Sequence, residues 1–399
     1  MSNEPARPGA AYVHIPFCVS KCSYCDFNSY AGMESVYADY VCALTAEIKR
    51  SADGGHGEPP LRSDDTCSGR SPCWPDLDTV YFGGGTPTVL SVSDLSGILD
   101  AVRQSLGIAP EAEITIEANP GTVDLPRLAG LRQAGFNRLS LGVQSFDDEF
   151  LQSIGRAHTR QQALDAYEAA LRAGFENVGI DLIFALPGQS LAHWEHTLET
   201  ALALSPKHIS LYELSIEEGT RFAQFCADGK LQTPDEDTQL AMYELAIAEL
   251  TGAGYEHYEV SNFAMPGFRS RHNTVYWLNH PYYGFGAGAT SYVAGTRARR
   301  IADPRRYAVA IESGSDAVEF SETLDDRARL GETIVQGLRM IEGVEIERVS
   351  RETGLDPLQE YASQIVELKA RGLIDLADGR FRVTHAGLLL LNDVSREFV

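Results

Sequence analysis

Apolar residues recur along residues 12–255 in two alternating rhythms. Six short runs are candidate strands, most of them apolar nearly throughout: YVHI (12–15), TVYF (79–82), ITIEA (114–118), RLSLGV (138–143), VGIDLIF (178–184) and HISLYEL (208–214). That pattern predicts parallel strands covered on both faces. Between them lie stretches with helical spacing, at 34–52, 91–107 and 160–175. The second opens on Ser and Asp as cap residues, and the first two run towards glycine at their C-terminal ends. Six β-α repeats with short connections predict an α/β fold, a partial (β/α)6 barrel of the TIM type. An open doubly wound sheet is the competing arrangement.

Two segments break the rhythm. Residues 53–76 are rich in Gly, Pro, Ser and Asp and read as a flexible insertion between the first helix and the second strand. Cys67 and Cys73 within it read as incidental thiols of a loop. After residue 255 the chain turns dense in Tyr, His, Asn and Gly, so 1–255 reads as the barrel and 256–323 as a segment packing on it. From 324 to 399 come helical runs and then LIDLADGRFRVT, whose Asp-Gly is a hairpin signal. Helices followed by a hairpin predict a C-terminal α+β domain of winged-helix type. It carries 10 basic and 14 acidic residues, which disfavours nucleic-acid binding.

Composition narrows the function classes. A chain of 399 residues accommodates one large barrel plus an appendage. The net charge of -23 argues against a non-specific nucleic-acid or anionic-membrane surface, since both need clustered Lys and Arg. No apolar run approaches the ~18 residues of a membrane span. The first eleven residues lack the apolar core of a secretory signal. Seven cysteines, an odd number with three of them clustered, fit a reducing compartment, and the expected location is the cytoplasm.

The clustered cysteines are Cys18, Cys22 and Cys25, spaced C-x3-C-x2-C. A disulfide would leave one thiol over. Structural zinc needs a fourth ligand, for which His14 is a candidate. An iron–sulfur cluster held by three thiolates leaves one iron without a protein ligand, which suits chemistry there. In a barrel the active site lies at the C-terminal ends of the strands. The cysteines follow the first strand and GGGTP (83–87) the second; Glu117, Gln144, Asp181, Tyr212 and Glu213 lie at or near the ends of the next four. GGGTP lacks the GK[ST] of a phosphate loop. It lets backbone approach a ligand closely and offers free N–H and C=O groups. Glu117 at a strand end suits a ribose hydroxyl, and Asp181, in an apolar run, must find hydrogen-bond donors.

Taken together, YVHIPFC, the three cysteines, FGGGTPT, IEANP, GVQSF and IDLIFALPGQ resemble the radical S-adenosylmethionine superfamily. More narrowly, they resemble its branch of oxygen-independent coproporphyrinogen III oxidases. The resemblance implies that Cys18, Cys22 and Cys25 bind a [4Fe–4S] cluster. It implies that Tyr12, Tyr24, Gly84, Gly85, Thr86, Glu117, Gln144, Arg156 and Asp181 bind S-adenosyl-L-methionine. Within the branch, the oxidases carry a further cysteine two residues after the third, where this chain has Phe27, and a long arm where only eleven residues precede Tyr12. The run HNTVYW (272–277) instead resembles the signature of the HemW-type haem chaperones, paralogues of the oxidases. That resemblance implies haem as cargo, haem-accepting partners such as respiratory enzymes, and His272 as the haem-ligand candidate. His257, His280 and His14 are further candidates. A membrane-associated acceptor and a homodimer are compatible with it. The competing reading is the oxidase itself, a radical enzyme decarboxylating coproporphyrinogen III.

Overall fold

In a computed structural model, the structure describes residues 8–51 and 76–399. Residues 53–75 of the insertion, with Cys67 and Cys73, lie outside the described residues. The barrel strands are β1 (Ala10–Ile15), β2 (Leu77–Gly84), β3 (Ile108–Ala118), β4 (Arg138–Gln144), β5 (Asn177–Phe184) and β6 (His208–Glu213). The helices between them are α1 (Tyr37–Ser51), α2 (Val92–Leu106), α3 (Leu125–Ala134), α4 (Arg160–Arg172) and α5 (Leu191–Leu204). Strands β1 to β6 are parallel and adjacent in sequence order. A doubly wound sheet would reverse that order at a switch point, so the barrel reading holds. Short polar residues start the helices: Ser91, Asp124, Thr159 and Ser190 each accept a backbone N–H of the first turn.

The strands are not apolar on both faces. Val13, Ile15, Val80, Phe82, Ile116, Leu139, Leu141, Ile180 and Ile209 are fully buried in the main apolar core. Each such side chain contributes roughly 1.5–3 kcal/mol. Their alternate neighbours, Tyr12, Tyr81, Arg138, Ser140, Asp181 and Ser210, are largely polar and line the barrel interior. Arg138 is buried there with its charge opposed by Glu113 and Asp181. The helices cover only the outside, and a period of two is the consequence.

The segment beyond residue 255 builds both edges of this sheet. After α6 (Glu236–Gly252) come β7 (Glu256–Glu259) and β8 (Asn262–Ala264), antiparallel beyond β6. Helix α7 (Arg271–Trp277) follows, and β9 (Tyr283–Phe285) then pairs in parallel with β1 at the opposite edge. Residues 256–285 thus supply three of nine strands. Strands β10 (Thr290–Val293), β11 (Thr296–Arg300) and β12 (Val318–Thr323) form a separate antiparallel sheet, with α8 (Pro304–Glu312) inserted between β11 and β12.

The C-terminal part has its own core around Leu330, Ile334, Val349, Leu368 and Phe381. It contains α9 (Asp326–Gly337), β13 (Val344–Glu345), α10 (Ile346–Thr353), α11 (Ala362–Ala370), β14 (Ile374–Ala377) and β15 (Arg380–Val383). Between β14 and β15, Asp378 and Gly379 have φ of 54° and 73°. Two consecutive positive φ values make the tight hairpin that Asp-Gly favours. Among the described residues no helix is long and apolar enough to cross a membrane.

Candidate functional site

The three cysteines sit in a loop pinned at its base. Phe17 and Cys18 pair in parallel with Tyr30 and Ala31. Lys21 Nζ donates to the Phe27 and Ser29 carbonyls, both at 3.0 Å. The His14 ring closes the loop from below. Its Nε2 lies 2.9 Å from the Asn28 carbonyl and so carries the proton, which leaves Nδ1 to accept from Tyr12 Oη at 3.0 Å. Zinc through His14 therefore loses its lone pair to Tyr12. Asn28 Nδ2 donates onward to the Ala287 and Ala302 carbonyls.

Each thiol meets a different partner. Thr86 Oγ1 is 3.6 Å from Cys18 Sγ, Arg156 Nη1 is 3.6 Å from Cys22 Sγ, and Ser29 Oγ is 3.8 Å from Cys25 Sγ. Burial pushes the Cys18 thiol up, against the Thr86 hydrogen bond, and the nearby Cys25 and Cys22 add to the rise. Among the described residues, no three His, Cys, Asp or Glu side chains are arranged around a single ion. A four-iron cluster is a body rather than a point and takes one thiolate per iron, so its ligands stand further apart than those of zinc. The donor set suits a cluster.

Residues matching the cofactor positions gather beside this loop. Gly84, at φ 111°, leaves no room for a Cβ, which would run into the His14 ring. The expected free N–H groups of GGGTP are not free. Gly84 N donates to Glu117 Oε2 at 3.1 Å, Gly85 N to the Ile15 carbonyl at 2.9 Å and Thr86 N to the Phe17 carbonyl at 2.7 Å. The end of β1 and the chain leaving it run alongside GGGTP and take the last two. Glu117 Oε1 also accepts from Tyr81 Oη at 2.7 Å. Burial raises the Glu117 carboxyl to about 7, with Tyr81 acting against it and Asp181 adding to it. Asp181 finds its donor in Ser140 Oγ, at 3.1 Å and 3.2 Å from its two oxygens. Burial raises its carboxyl, opposed first by Ser210 and then by Arg138 and Ser140.

Two buried polar atoms at this mouth lack partners, Gln144 Oε1 and Arg156 Nε. Gln144 ends β4 at φ 67°, a strained value for a residue with a side chain. Arg156 also holds the Gly142 carbonyl through Nη2 at 2.5 Å. An unmet acceptor and an unmet donor beside three thiols fit a polar cofactor. Tyr24 packs with Phe150, Ile183 and Phe222 on the same side. When bound, a reduced cluster with S-adenosylmethionine supplies one-electron cleavage of a sulfonium. Tyr212 and Glu213 end β6 exposed.

A cavity of about 400 Å³ opens here, lined by Tyr12, His14, Phe27, Asn28, Gly84, Glu117, Tyr276, Tyr282, Gly288, Ala289 and Thr290. Phe27 stands 65% exposed at its rim. The HNTVYW helix divides its contacts three ways. His272 is 1% exposed, stacked on Tyr81 at 5.1 Å between ring centroids. Tyr276 faces the cavity. Trp277 lies under Arg339 of the C-terminal part, 4.3 Å from guanidinium to ring centroid. Glu113 fixes the start of the helix by accepting from Arg271 N and His272 N at 3.2 Å and 3.1 Å. His257 stacks on Phe263, and His280 faces Glu352; neither lines the cavity. The residues that sequence reasoning missed are Tyr81, Arg138, Ser140 and Asn28. The first three share the inward face of their strands with residues it did select, so a count of every second position reveals them.

Comparison with known proteins places these features. Residues 12–201 match the Radical SAM superfamily, and residues 324–390 match the HemN C-terminal domain. A Bacillus subtilis protein, Heme chaperone HemW, is 36% identical over 394 residues, covering 98% of this chain and 99% of its own. The Escherichia coli (strain K12) Heme chaperone HemW is 34% identical over 394 residues, covering 98% of each. Among solved structures, that of coproporphyrinogen III oxidase (HemN) from Escherichia coli, a radical SAM enzyme, superposes with a TM-score of 0.82 at 25% identity. The match spans 100% of this chain and 91% of that one.

Proposed function

The chain belongs to the HemW haem-chaperone family within the radical SAM superfamily, and from that premise we propose that it binds haem and hands it to haem-dependent partner proteins. Cys18, Cys22 and Cys25 hold a [4Fe–4S] cluster. Tyr12, Tyr24, Gly84, Gly85, Thr86, Glu117, Gln144, Arg156 and Asp181 hold S-adenosylmethionine against it. The chain's own residues seat the cofactor's polar groups. Glu117, fixed by Tyr81, accepts from ribose hydroxyls, while Gln144 and Arg156 use the atoms that now lack partners. The haem acceptors are haem-dependent proteins such as respiratory enzymes, with a membrane-associated acceptor compatible with this reading, and the chaperone works in the cytoplasm.

The observation that carries this reading is the cavity shared by the HNTVYW helix and the cluster loop, with Tyr276 and Tyr282 facing Phe27, Gly84 and Glu117. An opening walled by the aromatic rings of Tyr12, Phe27, Tyr276 and Tyr282, with polar groups among them, suits a planar ligand such as a porphyrin. Phe27 stands at its rim where the oxidases have a further cysteine. The test is anaerobic cluster reconstitution, haem titration followed in the Soret band, and a coproporphyrinogen decarboxylation assay on the same sample. Stoichiometric haem binding without decarboxylation is the expected result. Decarboxylated product without specific haem binding favours the oxidase, the reading that the 25% identical structure keeps in view.

A further inference from the structure

The HNTVYW helix offers two side chains with lone pairs for iron, and the geometry separates them. His272 has both ring nitrogens engaged: Nδ1 lies 2.8 Å from Thr79 Oγ1 and Nε2 lies 2.8 Å from Tyr276 Oη. A neutral imidazole has one donor and one acceptor, so this pair of contacts uses both. The ring is buried in the barrel interior and does not line the cavity. To reach iron it must break one of these bonds and pass Tyr276. Tyr276, one helical turn on, does line the cavity.

Resting on the haem-carrier reading above, we propose that Tyr276 is the protein's ligand to the iron of bound ferric haem, and that His272 is the residue that positions it. Tyrosine is an established axial ligand of haem iron. The iron–oxygen bond forms as the phenol O–H breaks, and the proton leaves to water in the open cavity; no oxidant or reductant is needed. His272 then donates Nε2–H to the phenolate oxygen, and the Thr79 hydroxyl donates to Nδ1.

The electrostatics agree with a neutral ring. Burial, aided by Arg138, holds the His272 imidazole down to about 3, so it stays a neutral donor. Burial first, then Tyr282, Tyr12 and Glu117, hold the Tyr276 phenol well above its ordinary value. Without iron it therefore remains a phenol; the ferric cation drives its deprotonation on ligation, and the hydrogen bond from His272 strengthens the bound phenolate. Tyr282 packs edge-on against Tyr276, 4.6 Å between ring centroids. The Arg297 guanidinium opposes the rise that burial gives the Tyr282 phenol, but among the described residues no side chain is placed to hydrogen-bond its oxygen as His272 does that of Tyr276.

The test is ferric haem titrated anaerobically into the full chain with its cluster reconstituted. The variants are Tyr276→Phe, His272→Gln, His272→Ala and Tyr282→Phe, each read by absorption and by resonance Raman with ring-labelled tyrosine. Wild type should show label-sensitive phenolate modes. Tyr276→Phe should lose them and bind haem at least about tenfold more weakly. His272→Gln, which keeps a donor, should retain them. His272→Ala should retain them at shifted frequency with a smaller loss of affinity, and Tyr282→Phe should match wild type. An imidazole-type spectrum in wild type, lost in the His272 variants and kept in Tyr276→Phe, overturns the assignment and leaves the carrier reading standing. Failure of wild type to bind haem stoichiometrically overturns the carrier reading, and the assignment with it.

Discussion

Arg156 reaches from the turn after the short helix Asp148–Ser153 to the second cysteine, with Nη1 3.6 Å from Cys22 Sγ and Nη2 on the Gly142 carbonyl. A fixed guanidinium beside a cluster thiolate offsets its charge and orients it, as outer-shell groups do at metal sites. Arg156→Ala should therefore lower iron affinity by about tenfold, read as iron per chain after reconstitution and as faster loss in air. Arg156→Lys keeps the charge without the fork and should fall between the two. Wild-type iron content and lifetime in Arg156→Ala would remove Arg156 from the account.

Glu117 gives the cofactor-free protein a pH signature. Its carboxyl is raised to about 7, against an ordinary value of about 4.5. Between those values the native state keeps a proton that the unfolded chain has released. Its contribution to stability is therefore full below 4.5 and declines as pH rises towards 7. Glu117→Gln removes that slope. Thermal midpoints of the two proteins, taken from pH 4.5 to 8, should show the variant gaining on wild type as pH rises. A constant difference across the range would contradict the assignment.

Tyr12, Gly84 and Glu117, assigned to S-adenosylmethionine, line the same cavity as Tyr276 and Tyr282, assigned to haem. Two ligands converging on about 400 Å³ should hinder one another. Haem titrations with and without S-adenosylmethionine should show weaker haem binding in its presence. Linkage requires that haem weaken S-adenosylmethionine by the same factor. Identical haem affinity at saturating S-adenosylmethionine would place the two ligands in separate sites.

Arg339 ties the C-terminal part to the HNTVYW helix. It covers Trp277 and pairs with buried Glu259 at 3.4 Å, while Arg348 donates to the Leu278 carbonyl at 3.0 Å. Arg339→Ala leaves the Glu259 carboxylate with only Asn262 and the Ser261 N–H. Arg339 is itself partly exposed, so the expected cost is at the low end for a broken buried pair, about 3 kcal/mol. Limited proteolysis should cut the variant faster between the barrel and the C-terminal part, with cluster content unchanged. Unchanged proteolysis and stability would show that this contact does not hold the two together.

The barrel was legible because its strands alternate with helices over more than 200 residues, and the hairpin because Asp378-Gly379 admits few other turns. The cysteine spacing and strand-end residues pointed to one place for the same reason: topology carries strand ends to one mouth. What the sequence concealed was contact at long range. RLSLGV shows a polar residue at every second position at its start, but not that Arg138 and Ser140 face inward, and only the placement of Glu113 and Asp181 explains a buried arginine. GGGTP looks like free backbone until the chain leaving β1 is laid beside it. His272 reads as a haem-ligand candidate until Thr79, 193 residues earlier, is found at its Nδ1.

The most direct test of the account is haem transfer. Chaperone carrying its cluster and haem would be mixed anaerobically with the apo-form of a b-type cytochrome, and both haem spectra followed in time. The account predicts that the acceptor gains haem as the donor loses it, one for one, faster than free haem leaves the donor for a passive scavenger. Haem retained by the donor, or transfer no faster than to the scavenger, would contradict it.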